Sequence, residues 1–85
     1  LNKVQNILKT FHKKNKFVKI KNINTFLSTN DVMNTNYCFI SVCKTKFKDK
    51  IIILSVIDNL IKGGAGQAVQ NMNLKFGFKN NEGLL

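Results

Sequence analysis

The sequence predicts an α+β fold in the order helix, strand, loop, strand, strand, helix, and three observations predict it. Val4, Ile7, Leu8 and Phe11 recur at helical spacing near the start. Two apolar, β-prone runs, Tyr37 to Cys43 and Ile51 to Ile57, flank a short polar stretch. Beyond them, glycines at 63, 64 and 66 lead into a second helical periodicity through Ala65, Ala68, Val69, Met72 and Phe76.

Taken in order, Val4, Ile7, Leu8 and Phe11 stand at i, i+3, i+4 and i+7, which gathers them on one face of a helix and leaves Lys3, Lys9 and His12 off it. Lys13, Lys14 and Lys16 crowd the end of that helix, where positive charge complements its dipole. Phe17 to Ile20 is short and β-prone. Lys21 to Asn36 is rich in Asn, Ser and Thr, whose side chains bond to nearby backbone and favour loops.

Tyr37 to Cys43 and Ile51 to Ile57, joined through the polar residues 44–50, read as adjacent antiparallel strands. The near-continuous apolar character of the second predicts burial on both faces and the more central place in the sheet. The β pattern stops at Asp58-Asn59, and Gly63, Gly64 and Gly66 interrupt any early helix. Gly77 is a natural helix stop, because glycine takes the left-handed conformation that ends many helices. Lys79 to Leu85 reads as a tail.

The chain has 85 residues, which leaves room for one small core and draws no internal domain boundary, so residues 1–85 are expected to be a single partial domain. Its opening on Leu1 directly into a helical pattern leads to the expectation of a truncated sequence. The 14 basic residues against 4 acidic ones give +10, a balance that raises nucleic acid or acidic membranes as partners. All the basic residues are lysine, in a background heavy in Asn, Ile and Phe, so codon composition accounts for the charge without a ligand. Arginine forks for bases and phosphates are absent, and no nucleic-acid partner is expected.

The longest apolar run, Ile51 to Ile57, is far short of the ~20 residues needed to span a bilayer, so no membrane association is expected. Cys38 and Cys43 fall on opposite faces of one strand, roughly 16 Å apart at ~3.3 Å per residue, and cannot bridge. With a single histidine, His12, and no paired cysteine spacing, no metal site is expected. A reducing, cytoplasmic compartment fits these features. Both cysteines sit inside a strand with no basic partner at helix-terminus geometry to activate the thiol, so both read as core residues and no catalytic residue is assigned.

Glycines at a strand-to-helix junction let the backbone approach a ligand and aim free amides at an anion. Gly64-Ala65-Gly66 supplies two glycines of a dinucleotide fingerprint, but Val69 stands where the third belongs. Taken alone, such a cluster is more often a tight turn with close packing.

The contiguous run Asp58-Asn59-Leu60-Ile61-Lys62-Gly63-Gly64-Ala65-Gly66-Gln67-Ala68-Val69-Gln70-Asn71-Met72-Asn73-Leu74 resembles the C-terminal segment of the N-acetyl-γ-glutamyl-phosphate reductase family. Ser28 to Cys38 resembles that family's loop running into a strand near the substrate pocket, although the family commonly has glycine near Asn34 and alanine near Gly64. The resemblance implies the last part of a glyceraldehyde-phosphate-dehydrogenase-like catalytic domain. It implies NADP as cofactor, with Asn59 bonded to the nicotinamide carboxamide and Gly63 and Gly64 holding the backbone close. An Asn amide suits that role because it offers both a donor and an acceptor.

Asp31 and Asn36 are implied to line or brace the substrate pocket; the competing reading of both, as of Asn59, is a hydrogen-bonded loop or turn residue. The implied reaction in the complete enzyme is reduction of N-acyl-glutamyl phosphate to a semialdehyde in arginine biosynthesis. The family's nucleophilic cysteine and basic histidine lie outside this chain, which alone should be inactive and should need the missing N-terminal portion of the same enzyme. A homo-oligomer is implied. The alternatives are the homologous aminoadipyl-phosphate reductase of lysine biosynthesis and a non-catalytic basic binding module.

Overall fold

The computed structural model describes residues 1–84. Helix α1 (Asn2–Phe11) is followed by strand β1 (Val18–Ile20), a single 3₁₀ turn (Thr29–Val32), strands β2 (Cys38–Lys44) and β3 (Ile51–Ile57), and helix α2 (Gly66–Lys75). The element order is the expected one. The sheet is mixed, in the order β1-β2-β3: β2 and β3 are antiparallel, and β1 joins β2 in parallel, a pairing the run of residues 17–20 did not announce.

Two expectations about β3 are corrected. It lies at an edge of the sheet among the described residues, with β2 in the centre. Its isoleucines are also not buried on both faces, since Ile51, Ile52, Ile53 and Ile57 are exposed. The physical reason is the parallel addition of β1, which places a neighbour on each side of β2 and on only one side of β3. An apolar strand with an open edge and exposed faces is a surface of the kind that marks interaction sites or aggregation liabilities.

Helix α1 forms where the periodicity places it and meets the rest of the fold partly through a residue off its apolar stripe. Gln5 is buried and donates from Nε2 to the carbonyl of Lys21 at 3.0 Å, while Val4 and Leu8 are half-buried. Ile7 and Phe11 point outward, Phe11 being 79 % exposed. The apolar stripe is wider than the strip of sheet beneath it, and the side chain that meets the sheet connection is a glutamine with a backbone carbonyl to satisfy.

The buried apolar residues are Phe17, Val32, Val42 and Cys43, around the centre of β2 and the 3₁₀ turn. Phe17, Tyr37 and Phe39 form an aromatic row with ring centroids 5.7 and 6.0 Å apart, and Lys21 lies over the Phe39 ring at 4.1 Å. The strand register sets Cys38 opposite Ile57 and Cys43 opposite Ile52, so the two thiols stand on opposite faces as expected. Cys38 lies 3.4 Å from the Ser55 hydroxyl, and Cys43 is buried against Ser41.

Helix α2 ends as expected. Gly77 has φ +74 and the Phe78 N–H donates to the Asn73 carbonyl at 2.9 Å, a Schellman-type closure. The segment read as a tail is tied back, because Asn73 donates to the carbonyls of Asn80 (3.1 Å) and Glu82 (2.9 Å). Leu85, the last residue of that segment, lies outside the described residues.

Candidate functional site

The end of β3 is organised by one carboxylate. Asp58 Oδ1 accepts the N–H of Leu60 at 2.9 Å and of Ile61 at 3.3 Å, and its backbone carbonyl accepts the N–H of Ile61 at 3.2 Å and of Gly63 at 3.1 Å. An aspartate bonding two residues ahead makes the local turn that stops the strand. Its other oxygen, Oδ2, accepts the N–H of Asn34 at 2.8 Å, tying this turn to the loop ahead of β2. The Asn34 N–H, followed by that of Leu60, holds the Asp58 carboxyl below its ordinary 3.8, with burial opposing them and the Ile61 N–H adding to them.

Asn34 has φ +62, a conformation that asparagine tolerates better than other side chains.

Between the two tied segments lies a groove of about 280 Å³ lined by Thr29, Met33, Ile57, Asp58 and Asn59. Asn59 stands exposed at its wall. Asp58 thereby joins the stretch expected near substrate to the turn expected near cofactor.

The chain after Asn59 does not enter α2 directly. Residues Ile61–Ala65 make a wide turn closed by bonds such as Ala65 N–H to the Leu60 carbonyl at 3.1 Å, broken at Gly64 by non-helical backbone. A Cβ on Gly63 would sit 3.2 Å from Asn59 Oδ1 and 3.2 Å from Ile57 Cδ1, and one on Gly64 would sit 3.3 Å from the Asn59 carbonyl. Both glycines leave the room in which Asn59 stands.

Gly66, read from the sequence as a helix breaker and as one glycine of an incomplete dinucleotide fingerprint, is the most confined of the glycines. A Cβ there would collide with Asn36 Oδ1 and would lie 2.6 Å from the Ile61 carbonyl.

The two residues expected near substrate are placed differently from Asn59. Asp31 is exposed and caps the 3₁₀ turn, accepting the Ser28 N–H at 2.9 Å. Asn36 is 1 % exposed and donates from Nδ2 to Gln70 Oε1 at 2.9 Å, the same oxygen that accepts from Lys62 Nζ at 2.8 Å. Asn36 Oδ1 has no hydrogen-bond partner. Burial lowers the Lys62 pKa, and the neighbouring Cys38 opposes that shift. Asn36 thus links the loop to α2, away from the groove wall that carries Asn59.

The roles of Asp58, Lys62 and Gln70 were missed from the sequence. Asp58-Asn59 carried a turn signal, and that signal extends to the side-chain bonds found here. The pairing of Lys62, Gln70 and Asn36 spans 34 residues and has no local signature. His12 lies 3.0 Å from the Asn15 amide and faces Phe11 edge-on, remote from this groove. Among the described residues no group of three or more His, Cys, Asp or Glu is placed to hold a metal ion, and no helix is long and apolar enough to cross a membrane.

These features define an α+β unit with an apolar edge strand left open, whose last strand presents an asparagine to a groove. The chain belongs to the family described as semialdehyde dehydrogenase, dimerisation domain, whose model matches residues 1–59. Over 84 residues it is 48 % identical to an N-acetyl-gamma-glutamyl-phosphate reductase of Clostridium botulinum (strain Eklund 17B / Type B), covering 99 % of this chain and 24 % of the relative. The protein of the same name from Geobacillus stearothermophilus is 42 % identical over 83 residues, 98 % of this chain and 24 % of the relative. A probable N-acetyl-gamma-glutamyl-phosphate reductase of Oryza sativa subsp. japonica, described as chloroplastic, is 46 % identical over 77 residues, 91 % of this chain and 19 % of the relative. The chain spans about a quarter of the length of the curated relatives it matches.

Proposed function

We propose that this chain is the C-terminal part of an NADP-dependent N-acetyl-γ-glutamyl-phosphate reductase of arginine biosynthesis. Residues 1–85 form one partial domain of a glyceraldehyde-phosphate-dehydrogenase-like catalytic unit. The observation that carries the reading is the groove in which Thr29 and Met33, from the stretch resembling the substrate loop, face Asp58 and Asn59, from the stretch resembling the cofactor turn. The names of the relatives support it.

The residues present fit a nicotinamide ring. Asn59 offers a donor and an acceptor at an open wall, and the space beside it is kept by Gly63, where any side chain would press on the Asn59 amide. The bound cofactor supplies the hydride by which an acyl phosphate becomes a semialdehyde. Asn59 orients the carboxamide, Gly63 and Gly64 let the backbone approach it, and Asp58 fixes the turn that carries them. Asp31 and Asn36 brace the substrate side, Asp31 by capping the 3₁₀ turn and Asn36 by anchoring the loop to α2.

The nucleophilic cysteine and the basic histidine are supplied by the remainder of the polypeptide, so this chain alone is inactive. The enzyme is a cytoplasmic homo-oligomer; the family's description as a dimerisation domain supports the assembly. The test is reduction of N-acetyl-γ-glutamyl phosphate with NADPH by the complete protein, run beside the aminoadipyl homologue. Preference for the longer substrate moves the assignment to lysine biosynthesis, and failure with both removes the reductase reading.

One observation favours a second reading, a basic binding module. Lys9, Lys13, Lys14, Lys16, Lys19 and Lys21 surround a single groove of about 450 Å³ beside the end of α1, and no acidic residue lines it.

A further inference from the structure

We infer that Asp58 is a positioning residue for the cofactor, setting where Asn59 stands by clamping the turn after β3 to the loop ahead of β2. The inference rests on the reductase reading above and adds to it a residue and a manner of action.

The geometry is specific. Asp58 uses its two carboxylate oxygens in two directions: Oδ1 caps its own turn through Leu60 and Ile61, and Oδ2 reaches across to the Asn34 N–H at 2.8 Å. The first set shapes the turn and the second sets its distance from the opposite groove wall. Asn59, next in the chain, therefore has its Cα fixed relative to Met33 and Thr29, which line the same groove. Hydrogen bonds to a carboxylate are shorter and stronger than neutral ones, so one residue suffices for the clamp. Asn34, at positive φ, sits in the bend of its loop and donates its N–H to the Asp58 carboxylate.

Asp58 touches neither nicotinamide nor substrate in this scheme. Its effect passes through Asn59, and small displacements of positioning groups have large kinetic consequences.

A double-mutant cycle on the complete reductase tests this, with the NADPH dissociation constant and the kcat-against-KM split as readouts. Asp58→Asn keeps an oxygen for Leu60 and Ile61 and turns an amide toward the Asn34 N–H, which loses its acceptor. Asp58→Asn alone should weaken NADPH binding about tenfold. It should raise KM for NADPH while kcat at saturating NADPH changes less. In an Asn59→Ala background the same change should add little.

Independent, additive effects overturn the inference, as does wild-type affinity in Asp58→Asn. If Asn59→Ala alone leaves NADPH affinity unchanged, it is the cofactor reading of this turn that fails, which separates the two failures. Should Asp58→Asn not be recovered folded, Asp58→Ser replaces it in the cycle, since its hydroxyl still caps Leu60 while the Asn34 N–H has no carboxylate; the same outcomes apply.

Discussion

Asp58 and Asn34, 24 residues apart in the chain, meet through a 2.8 Å hydrogen bond in which the backbone of one loop donates to the side chain of the other. That bond, together with the Leu60 N–H, lowers the Asp58 pKa from its ordinary value. A carboxyl whose folded pKa is depressed stabilises the fold fully above its unfolded value, here about 3.8, and loses that contribution as pH falls through the folded value. Asp58→Asn should therefore lower Tm at neutral pH, and the gap to wild type should close in acid. Thermal unfolding of the complete protein across that range checks it, and a constant gap would contradict the clamp.

Gly66 should resist replacement for a reason of packing. Alanine there meets the Ile61 carbonyl at 2.6 Å and Ile61 Cγ2 at 2.7 Å, so Gly66→Ala should cost about 1–3 kcal/mol despite alanine's higher helix propensity. Gly77→Ala, with φ +74 and open space around it, should cost about 1 kcal/mol through backbone strain alone. Denaturant unfolding of the two variants separates these causes, and a stabilised Gly66→Ala would refute the close approach.

The outward stripe of α2 should behave as an unfinished interface. Ala65, Ala68, Met72 and Phe76 are exposed on one side of that helix, Phe76 at 64 %, and β3 adds Ile51 and Ile53 at an open edge. Produced alone, residues 1–85 should self-associate and bind an apolar dye such as ANS, and the complete, assembled protein should bind the dye less. A monomeric, dye-silent fragment would show that these surfaces need no cover.

The lysine-lined groove beside α1 decides between enzyme and binding module. Phosphate contacts release counterions, so a nucleic-acid module would bind with an affinity that falls steeply with salt. The reductase reading expects no such affinity in the complete protein. A steep salt slope abolished by Lys13→Gln and Lys16→Gln would favour the module.

How much of this was legible in the sequence follows from the range of each interaction. The two helices, three strands and their order came from periodicity and from Gly77, all local signals. The place of β3 at an edge did not, because an isoleucine run reads the same whether its strand lies at the edge or at the centre of a sheet. In the same way the shared helical face of Val4, Ile7, Leu8 and Phe11 was legible, but not that Ile7 and Phe11 stay exposed beyond the reach of the small sheet. At the candidate site, Asn59, Gly63 and Gly64 were singled out and stand together. Asp58 read only as a turn residue and Lys62 carried no assignment, because their partners Asn34 and Gln70 lie on other elements. Asn36 shows a polar loop residue whose burial only the tertiary contact with Gly66 and Gln70 reveals.

A crystal structure of the complete protein with NADP bound examines the proposal at its centre. The Asn59 amide should lie about 3 Å from the nicotinamide carboxamide, with the Asp58 carboxylate still holding the Asn34 N–H. A nicotinamide bound elsewhere, with the Asp58-Asn59 turn facing away from it, would contradict the reading.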